Sequence, residues 1–187
     1  HWLDVAGYAD SEGDAEGDRV RAFAYKYRDY VIRSLNGDKP FDRFIQEQLA
    51  GDELVQPPYR DLPPEAVEKL VATGFLRMAA DPTVASGEDT AKNQVIADTI
   101  KVVSTSLLGL SVGCAQCHDH RYDPIPHTDY YRLRAVFEPA LNWKSWRNPN
   151  ARRISLYTEE DRAKAAAIEA EISEIINERA TKEQEFV

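Results

Sequence analysis

The sequence is short of cysteine, methionine and positive charge, and it lacks any long apolar run. Its 187 residues include 2 Cys and 1 Met, and 23 Lys and Arg stand against 32 Asp and Glu for a net charge of -9. That charge has the wrong sign for wrapping nucleic acid or lying on an anionic membrane. No apolar stretch approaches the roughly 20 residues of a transmembrane helix. We therefore expect no membrane span in this segment, and basic proteins or small molecules as partners.

The periodicity of the apolar residues predicts an all-α fold. These residues recur at the 3.6-residue spacing of helices, and no window alternates convincingly as a strand would. With 43% hydrophobic residues, the chain can bury the core of one ordinary domain. Capping residues, glycines and prolines delimit the predicted helices, which cover about 18–36, 40–50, 64–73, 90–108 and 128–138. The prediction is an irregular multi-helix domain.

The acidic stretch "YADSEGDAEGD" places carboxylates at alternate positions, as some calcium loops do. An EF-hand loop begins with Asp and needs Gly at its sixth position and Glu at its twelfth; counted from Asp10, these positions are Ala15 and Arg21. We therefore expect a solvated acidic loop rather than an ion site. Its acidic residues are Asp10, Glu12, Asp14, Glu16 and Asp18.

From Thr158 onward the sequence has no Gly or Pro, and its apolar residues follow a 3-4-3 spacing. This pattern predicts a projecting helix over 158–187 that begins a coiled coil, with a partner helix from a continuing chain or another copy. The seam consists of Ala165, Ile168, Ile172 and Ile175, and the same spacing continues to Arg179, Lys182 and Phe186. The predicted organisation is a domain over 1–140, a Trp-containing linker over 141–157 and this helix.

The stretch "VGCAQCHDHRYDP", residues 112–124, contains both cysteines of the chain, Cys114 and Cys117, followed directly by His118. A structural zinc site needs four protein ligands, and the chain has no second pair of cysteines. A thioredoxin-type dithiol lies between a strand and a helix, and no strand precedes this one. A zinc site, a redox dithiol and a plain structural disulfide are therefore weaker interpretations of these cysteines than the covalent attachment of a haem.

Cys-x-x-Cys-His is the attachment signature of a c-type haem. The two thiols add to the porphyrin vinyl groups as thioethers, and the three-residue spacing puts both sulfurs on one side of a helical turn. The next residue then points over the porphyrin face, where its imidazole binds iron. We therefore predict one covalent haem c, with thioethers from Cys114 and Cys117 and with His118 as the proximal iron ligand.

The sequence also resembles a known family in several long motifs, in order, over about residues 1–140. These are "HWLDVAGYADSEG", "YRDYVIRSLNGDKPFDRFIQEQLAGD", "ATGF" and "GLSVGCAQCHDHRYDPIPHTDYYRL". They are similar to the planctomycete cytochrome-type domain PSCyt2, also called DUF1549. The resemblance implies haem binding and an exported, periplasmic or cell-surface location within larger multidomain proteins. It also implies that further residues precede the first motif, which opens like the middle of an amphipathic helix.

Three alternatives stay open for the sixth iron position: His1 as the ligand, an open or water-bound site, and Met78 as the ligand. The resemblance favours His1, because "HW" at this place is typical of the family and a lone Met is usually core packing. His120 is two residues beyond His118, a turn of about 200° along a helix, so it cannot reach the opposite haem face. It is instead a candidate for a contact with a haem propionate, Asp119 or Asp123. His127 is expected to cap the following helix.

These residues leave three functions open. Electron transfer requires iron held by two axial ligands and a redox partner, either a protein or a neighbouring domain of the same chain. A haem enzyme requires an open sixth position and a group that handles protons, such as His1, His120 or a tyrosine. In a structural module the haem acts as a covalent staple. We favour electron transfer; the sequence names no substrate.

Overall fold

The computed structural model describes residues 1–13, 18–84 and 88–185, and it is all-α as predicted. The α-helices of the described residues are α1 (Trp2–Ala6), α2 (Ala24–Asn36), α3 (Phe41–Ala50), α4 (Pro64–Ala72), α5 (Asp89–Val103), α6 (His127–Leu141) and α7 (Glu159–Glu185). Short 3-10 segments cover Thr73–Arg77, Pro82–Val84, Val112–Gln116, Trp143–Ser145 and Pro149–Arg152. Of the acidic loop, Asp14 and Glu16 lie outside the described residues.

Helix α2 begins later than predicted, at Ala24 rather than near Asp18. The residues before it pair with the acidic stretch instead: Ser11 and Val20 form an isolated β-bridge, and the Arg21 amide donates to the Asp10 carbonyl at 2.7 Å. These hydrogen bonds hold the backbone extended, so the helix cannot start there. The acidic stretch is also not wholly solvated, because Glu12 is 8% exposed.

Helix α5 ends in a wider turn just before the cysteine motif. The α-helix stops at Val103, and Ser104–Leu108 form a π-helical turn that ends at Gly109, whose φ is +65°. The Thr105 hydroxyl donates to the Lys101 carbonyl at 2.7 Å, a back-bond that favours local distortion of a helix. Glycine adopts the left-handed conformation at Gly109 without a steric penalty, and the chain turns there.

Helix α6 differs from the prediction at both ends. Neither Thr128 nor the His127 side chain caps its start; the Asp119 carboxylate does, accepting from the His127 amide at 2.7 Å. Pro139 does not stop it, and the helix runs on to Leu141. Pro139 has no N–H to donate to the carbonyl four residues earlier, so the last turn of α6 lacks one backbone hydrogen bond. The Asn142 amide then closes the helix with a 3.1 Å bond to the Pro139 carbonyl.

The core is divided into two clusters that share helix α5. The first packs α1, α2, α3 and the region of α4 around Ala6, Tyr27, Tyr30, Val31, Phe44, Ala72, Phe75, Met78 and Val103. The second packs α5, α6 and the 112–116 turn around Val95, Ile96, Ile100, Val112, Ala115, Tyr130 and Leu141. The cysteine motif therefore belongs to the second cluster.

Helix α7 leaves the domain after its first turn. Thr158 and Asp161 form a capping box, with the Asp161 amide donating to the Thr158 hydroxyl at 3.2 Å, and Arg162 pairs with Asp61 at 2.7 Å. From residue 166 to residue 184 every side chain is exposed, including the predicted seam isoleucines. Phe186 lies outside the described residues. None of the described helices combines the length and the apolarity needed to cross a bilayer.

Candidate functional site

The cysteine motif lies on a 3-10 turn that is anchored by two small apolar side chains. Val112 is 5% exposed and Ala115, the first residue between the cysteines, is fully buried in the second core cluster. Cys114 and Cys117 are both exposed free thiols. Because Ala115 takes the inward position of the turn, the flanking thiols are left at the surface, where a large planar ligand can reach them.

His118 is exposed, and its backbone surroundings select one tautomer. Its Nδ1 lies 2.7 Å from the Asp119 carbonyl oxygen. A carbonyl can only accept, so Nδ1 carries the proton in the neutral ring and Nε2 keeps its lone pair. Metal-binding histidines are commonly oriented in this way, with one ring N–H donated to a carbonyl and the other nitrogen free for the metal.

His120, unlike His118, uses both of its ring nitrogens for contacts inside the loop. Its side chain is 5% exposed. The Asp123 amide donates to Nδ1 at 2.8 Å and the Tyr122 amide at 3.3 Å, so the neutral ring carries its proton on Nε2. That nitrogen lies 3.0 Å from the Ser111 hydroxyl. The contact with Asp123 is one of the three contacts that the sequence predicts for His120. The contact with a haem propionate stays a prediction.

A second set of contacts fastens the motif to α6. The His127 Nε2 lies 2.9 Å from the Gln116 carbonyl, so it donates to the last residue of the 3-10 turn. The His127 ring also packs edge-on against Tyr131, with centroids 4.9 Å apart. Together with the Asp119 cap of α6, these contacts hold the turn and the segment after it on a rigid helix.

Tyr130 lies fully buried beneath the motif. Its hydroxyl has no hydrogen-bond partner of acceptable geometry within the described part of the chain. Burial raises its pKa, the nearby Arg134 guanidinium opposes that shift, and Cys117 adds slightly to it. A buried phenol close to Cys117 therefore remains neutral, with a donor that nothing nearby uses.

Apolar side chains are exposed on the segments that flank the motif. Leu108 and Leu110 precede it with 59% and 39% exposure, and Tyr122 and Tyr131 follow it with 83% and 46%. These side chains flank the motif in sequence, and their exposed apolar surface is available to a ligand at the motif. Thiols, an imidazole with a free Nε2 and apolar neighbours are the groups that a covalent porphyrin requires, so the residues fit the group.

The two candidates for the sixth iron position lie in contrasting environments. The His1 side chain is 96% exposed, and its amino group is 4.0 Å from the Asp4 carboxylate. Met78 is 6% exposed and packs in the first core cluster, not in the cluster that carries the motif. Both ligand assignments stay predictions. Within the described ranges, no group of three or more His, Cys, Asp or Glu side chains is arranged to hold a metal ion by itself.

Sequence reasoning did not identify Ser111 or Tyr130 as residues of this site. Ser111 contacts a histidine nine positions away, and Tyr130 reaches the motif only because α6 folds back beneath it. No local pattern signals either contact. The spacing of "HDH" was the available signal for His120, since two histidines two positions apart cannot face the same way on a turn.

Comparison with known proteins identifies one family. The sequence matches the PSCyt2 family, described as a protein of unknown function (DUF1549), over residues 1–141. That match covers helices α1 to α6 and the cysteine motif, and it ends before the linker and α7. No curated protein and no solved structure matches the chain.

Proposed function

The chain belongs to the PSCyt2 family, and we propose that its function is to carry one covalent c-type haem and to transfer electrons through it. The family description assigns no function, so the haem rests on the residues of this chain. The single observation that carries the proposal is the sequence Cys114-Ala-Gln-Cys117-His118 on a surface turn with both thiols free.

The two cysteines provide the covalent attachment. Each thiol would add across one vinyl group of the porphyrin, with its sulfur bonded to one vinyl carbon and its hydrogen transferred to the other, so that no oxidant or reductant is consumed. The exposure of Cys114 and Cys117 leaves both sulfurs accessible for this addition. Once bound, the haem supplies an iron that exchanges single electrons.

His118 provides the proximal ligand. Its Nδ1–H is donated to the Asp119 carbonyl, which leaves Nε2 as the nitrogen available to iron and fixes the ring orientation. The surrounding loop is held by His120, Ser111 and Asp123, so its geometry does not depend on the ligand. A rigid ligand frame favours electron transfer because little rearrangement accompanies a change of oxidation state.

The exposed apolar residues around the motif supply cover for a porphyrin. Leu108, Leu110, Tyr122 and Tyr131 together offer apolar surface that would exclude water from the macrocycle. The net charge of -9 favours a basic face on the redox partner, which is a separate protein or a neighbouring domain of the same chain. Thioether attachment is completed outside the cytoplasm, so the proposal includes an exported, periplasmic or cell-surface location.

A haem enzyme with an open sixth position is the second candidate. The observation that favours it is the burial of Met78 in the first core cluster, because a side chain that fills a core is poorly placed to bind iron elsewhere. If His1 also leaves the iron free, a substrate or oxidant can bind there. No described residue identifies such a substrate.

An equilibrium redox titration of the purified protein, followed by its visible absorption, tests the proposal. We expect a reversible one-electron transition of a single haem, which is lost in Cys114→Ser combined with Cys117→Ser. Arg179→Gln, which changes an exposed residue of α7, should leave the transition unchanged. Protein without a haem spectrum, or a transition that cannot be reversed, would contradict the function proposed.

A further inference from the structure

Helix α7 presents an apolar stripe that no described part of the chain covers. The seam isoleucines and their neighbour Ile176 are each half exposed or more. In the described ranges, α7 is fastened to the domain through its first turn, where Arg162 pairs with Asp61. An exposed apolar stripe along a helix is a surface for packing against another helix. The charges that border the stripe indicate the chemistry of that helix.

The heptad positions of α7 place mostly acidic residues on both borders of the seam. Ala165 and Ile172 occupy position a, and Ile168 and Ile175 occupy position d. In a coiled coil, positions e and g border the seam and pair with charges on the partner helix. Most residues at these positions are glutamates. In chain order they are Lys164 (g), Glu169 (e), Glu171 (g), Ile176 (e), Glu178 (g) and Glu183 (e).

Two cations of α7 are already paired within the helix. The Lys164 ammonium lies 2.6 Å from the Glu160 carboxylate, and Arg179 Nε lies 2.7 Å from the Glu183 carboxylate. The other border glutamates are exposed and have no ion pair in the described part of the chain: Glu169, Glu171 and Glu178. These three carboxylates are therefore free to pair with cations on another helix.

A second copy of α7 in parallel orientation does not supply those cations. Each seam position of a parallel pair faces its own counterpart, so Arg179 of one helix faces Arg179 of the other. Position g also faces the next position e of the other helix, which sets Glu178 against Glu183. The favourable pair of this kind, Lys164 with Glu169, competes with the ion pair that Lys164 already makes within its own helix.

A second copy in antiparallel orientation meets the same difficulty. An antiparallel pair that brings the seam isoleucines together is centred near Ala170, so Glu169 and Glu171 of the two helices face one another. Lys164 then lies near Glu178, which leaves the like charges at the centre. Acidic residues outnumber basic residues in α7, so two copies of the helix repel each other.

We propose that the seam of α7 binds a helix of another protein, one that carries an apolar seam bordered by Lys or Arg. The apolar seams bury each other, and the cations of the partner pair with the three free glutamates. Arg179 and Lys182 end the apolar part of the seam, so they fix where the partner stops. The inference does not rest on the haem, because α7 begins at Glu159, beyond the residues that match the family.

Sedimentation equilibrium of the purified full chain measures whether a second copy occupies the seam. We expect the wild type to be monomeric at micromolar concentration, because like charges face each other in both arrangements of two copies. A dimer that Ile172→Glu dissociates would assign the seam to a second copy and overturn the proposal.

Fluorescence anisotropy of labelled synthetic helices, titrated with the full chain, tests the chemistry of the partner. One peptide of about three heptads carries Ile and Leu at positions a and d, with Lys at e and g. A second peptide has Glu at e and g, and a third keeps the lysines but has Gln at a and d. We expect the first peptide to bind at least about tenfold more tightly than either of the others.

Substitutions on α7 locate the contact. Ile172→Glu should weaken binding of the first peptide by about tenfold or more, since it puts a charge on the apolar seam. Ser173→Glu adds the same charge off the seam and should not weaken binding. No binding of the first peptide, or affinity equal to that of the second or the third peptide, would overturn the proposal.

Glu171→Lys reverses one border charge without changing the seam, so it keeps the test valid if Ile172→Glu loses its helical circular dichroism. We expect it to reduce the preference for the first peptide over the second by about threefold or more. Glu174→Lys makes the same change on an exposed residue away from the seam and should leave that preference unchanged. Equal effects of the two substitutions would overturn the proposal, because the net charge of the helix would then govern binding.

Discussion

His120 Nε2 lies 3.0 Å from the Ser111 hydroxyl, and this contact joins the chain before the cysteines to the chain after them. On the other side of the ring, Nδ1 accepts from the Asp123 amide at 2.8 Å. One buried imidazole therefore closes the loop that carries Cys114, Cys117 and His118. The frame of the candidate site is held by the protein itself, with a histidine that is distinct from the proposed iron ligand.

His120→Ala should therefore lower the free energy of unfolding by about 1–3 kcal/mol, because it leaves buried polar groups of the loop unpaired. Urea unfolding followed by circular dichroism measures the change. Ser111→Ala removes only one of the hydrogen bonds and should cost about 1 kcal/mol. Equal stability of the wild type and His120→Ala would show that the imidazole does not hold the loop.

Carbon monoxide distinguishes electron transfer from haem enzymology. Iron with two protein ligands has no free position, so the reduced wild-type spectrum should not change on mixing with carbon monoxide. If His1 is the sixth ligand, His1→Ala admits carbon monoxide and the spectrum shifts. Immediate binding by the wild type would move the enzyme function ahead of electron transfer.

Met78→Leu is the matched variant for the alternative ligand. Met78 is 6% exposed in the first core cluster, and leucine preserves its volume at a cost below about 1.5 kcal/mol. Since we expect Met78 to be a packing residue, Met78→Leu should resist carbon monoxide as the wild type does. If carbon monoxide binds to Met78→Leu but not to the wild type or to His1→Ala, electron transfer stays the favoured function and Met78 is the sixth ligand.

The seam of α7 predicts a partner helix. Ile168, Ile172 and Ile175 are 57%, 50% and 59% exposed, and an isolated helix of this length is only marginally stable in water. We expect hydrogen exchange of the α7 amides in the full-length protein to be slow, and to accelerate in Ile172→Glu. Ser173→Glu adds the same charge on the neighbouring position, off the seam, and should keep the protection. A helix that is fully ordered with no partner would contradict the seam.

The proposed haem also predicts a compartment. Because thioether attachment is completed outside the cytoplasm, the mature haem protein should be recovered from the periplasmic or cell-surface fraction of its native cells. An antibody against the chain and haem staining of the same fractions provide the measurement. Haem-free protein confined to the cytoplasm would contradict the export prediction.

The all-α class and most helix positions could be predicted because they depend on local signals. Pro40 and Gly51 bracket α3, and the run without Gly or Pro after Thr158 coincides with α7. Such residues act on their own stretch of backbone, so the sequence reveals them. The predicted start of α2 at Asp18 was wrong because residues 18–21 pair with residues 10–12, an interaction that periodicity does not encode.

The cysteine motif of the candidate site could be predicted from the sequence, but the residues that hold the motif in place could not. Cys114, Cys117 and His118 form a contiguous signature, whereas Ser111 and Tyr130 join the site only through folding. The same reasoning applies to the buried ion pairs. Glu12, Asp81 and Arg152 are far apart in sequence, and Glu12 belongs to a stretch that the sequence predicts to be a solvated loop, although it pairs with Arg21 at a buried position.

The intact mass of the denatured protein reports directly whether Cys114 and Cys117 carry a covalent haem. The protein is produced in a host that attaches haem outside the cytoplasm, together with Cys114→Ser and Cys117→Ser. We expect a wild-type mass that exceeds that of the polypeptide by one haem, and reduced stable haem incorporation in each variant because one thioether is lost. A wild-type mass equal to that of the bare polypeptide would contradict the covalent attachment.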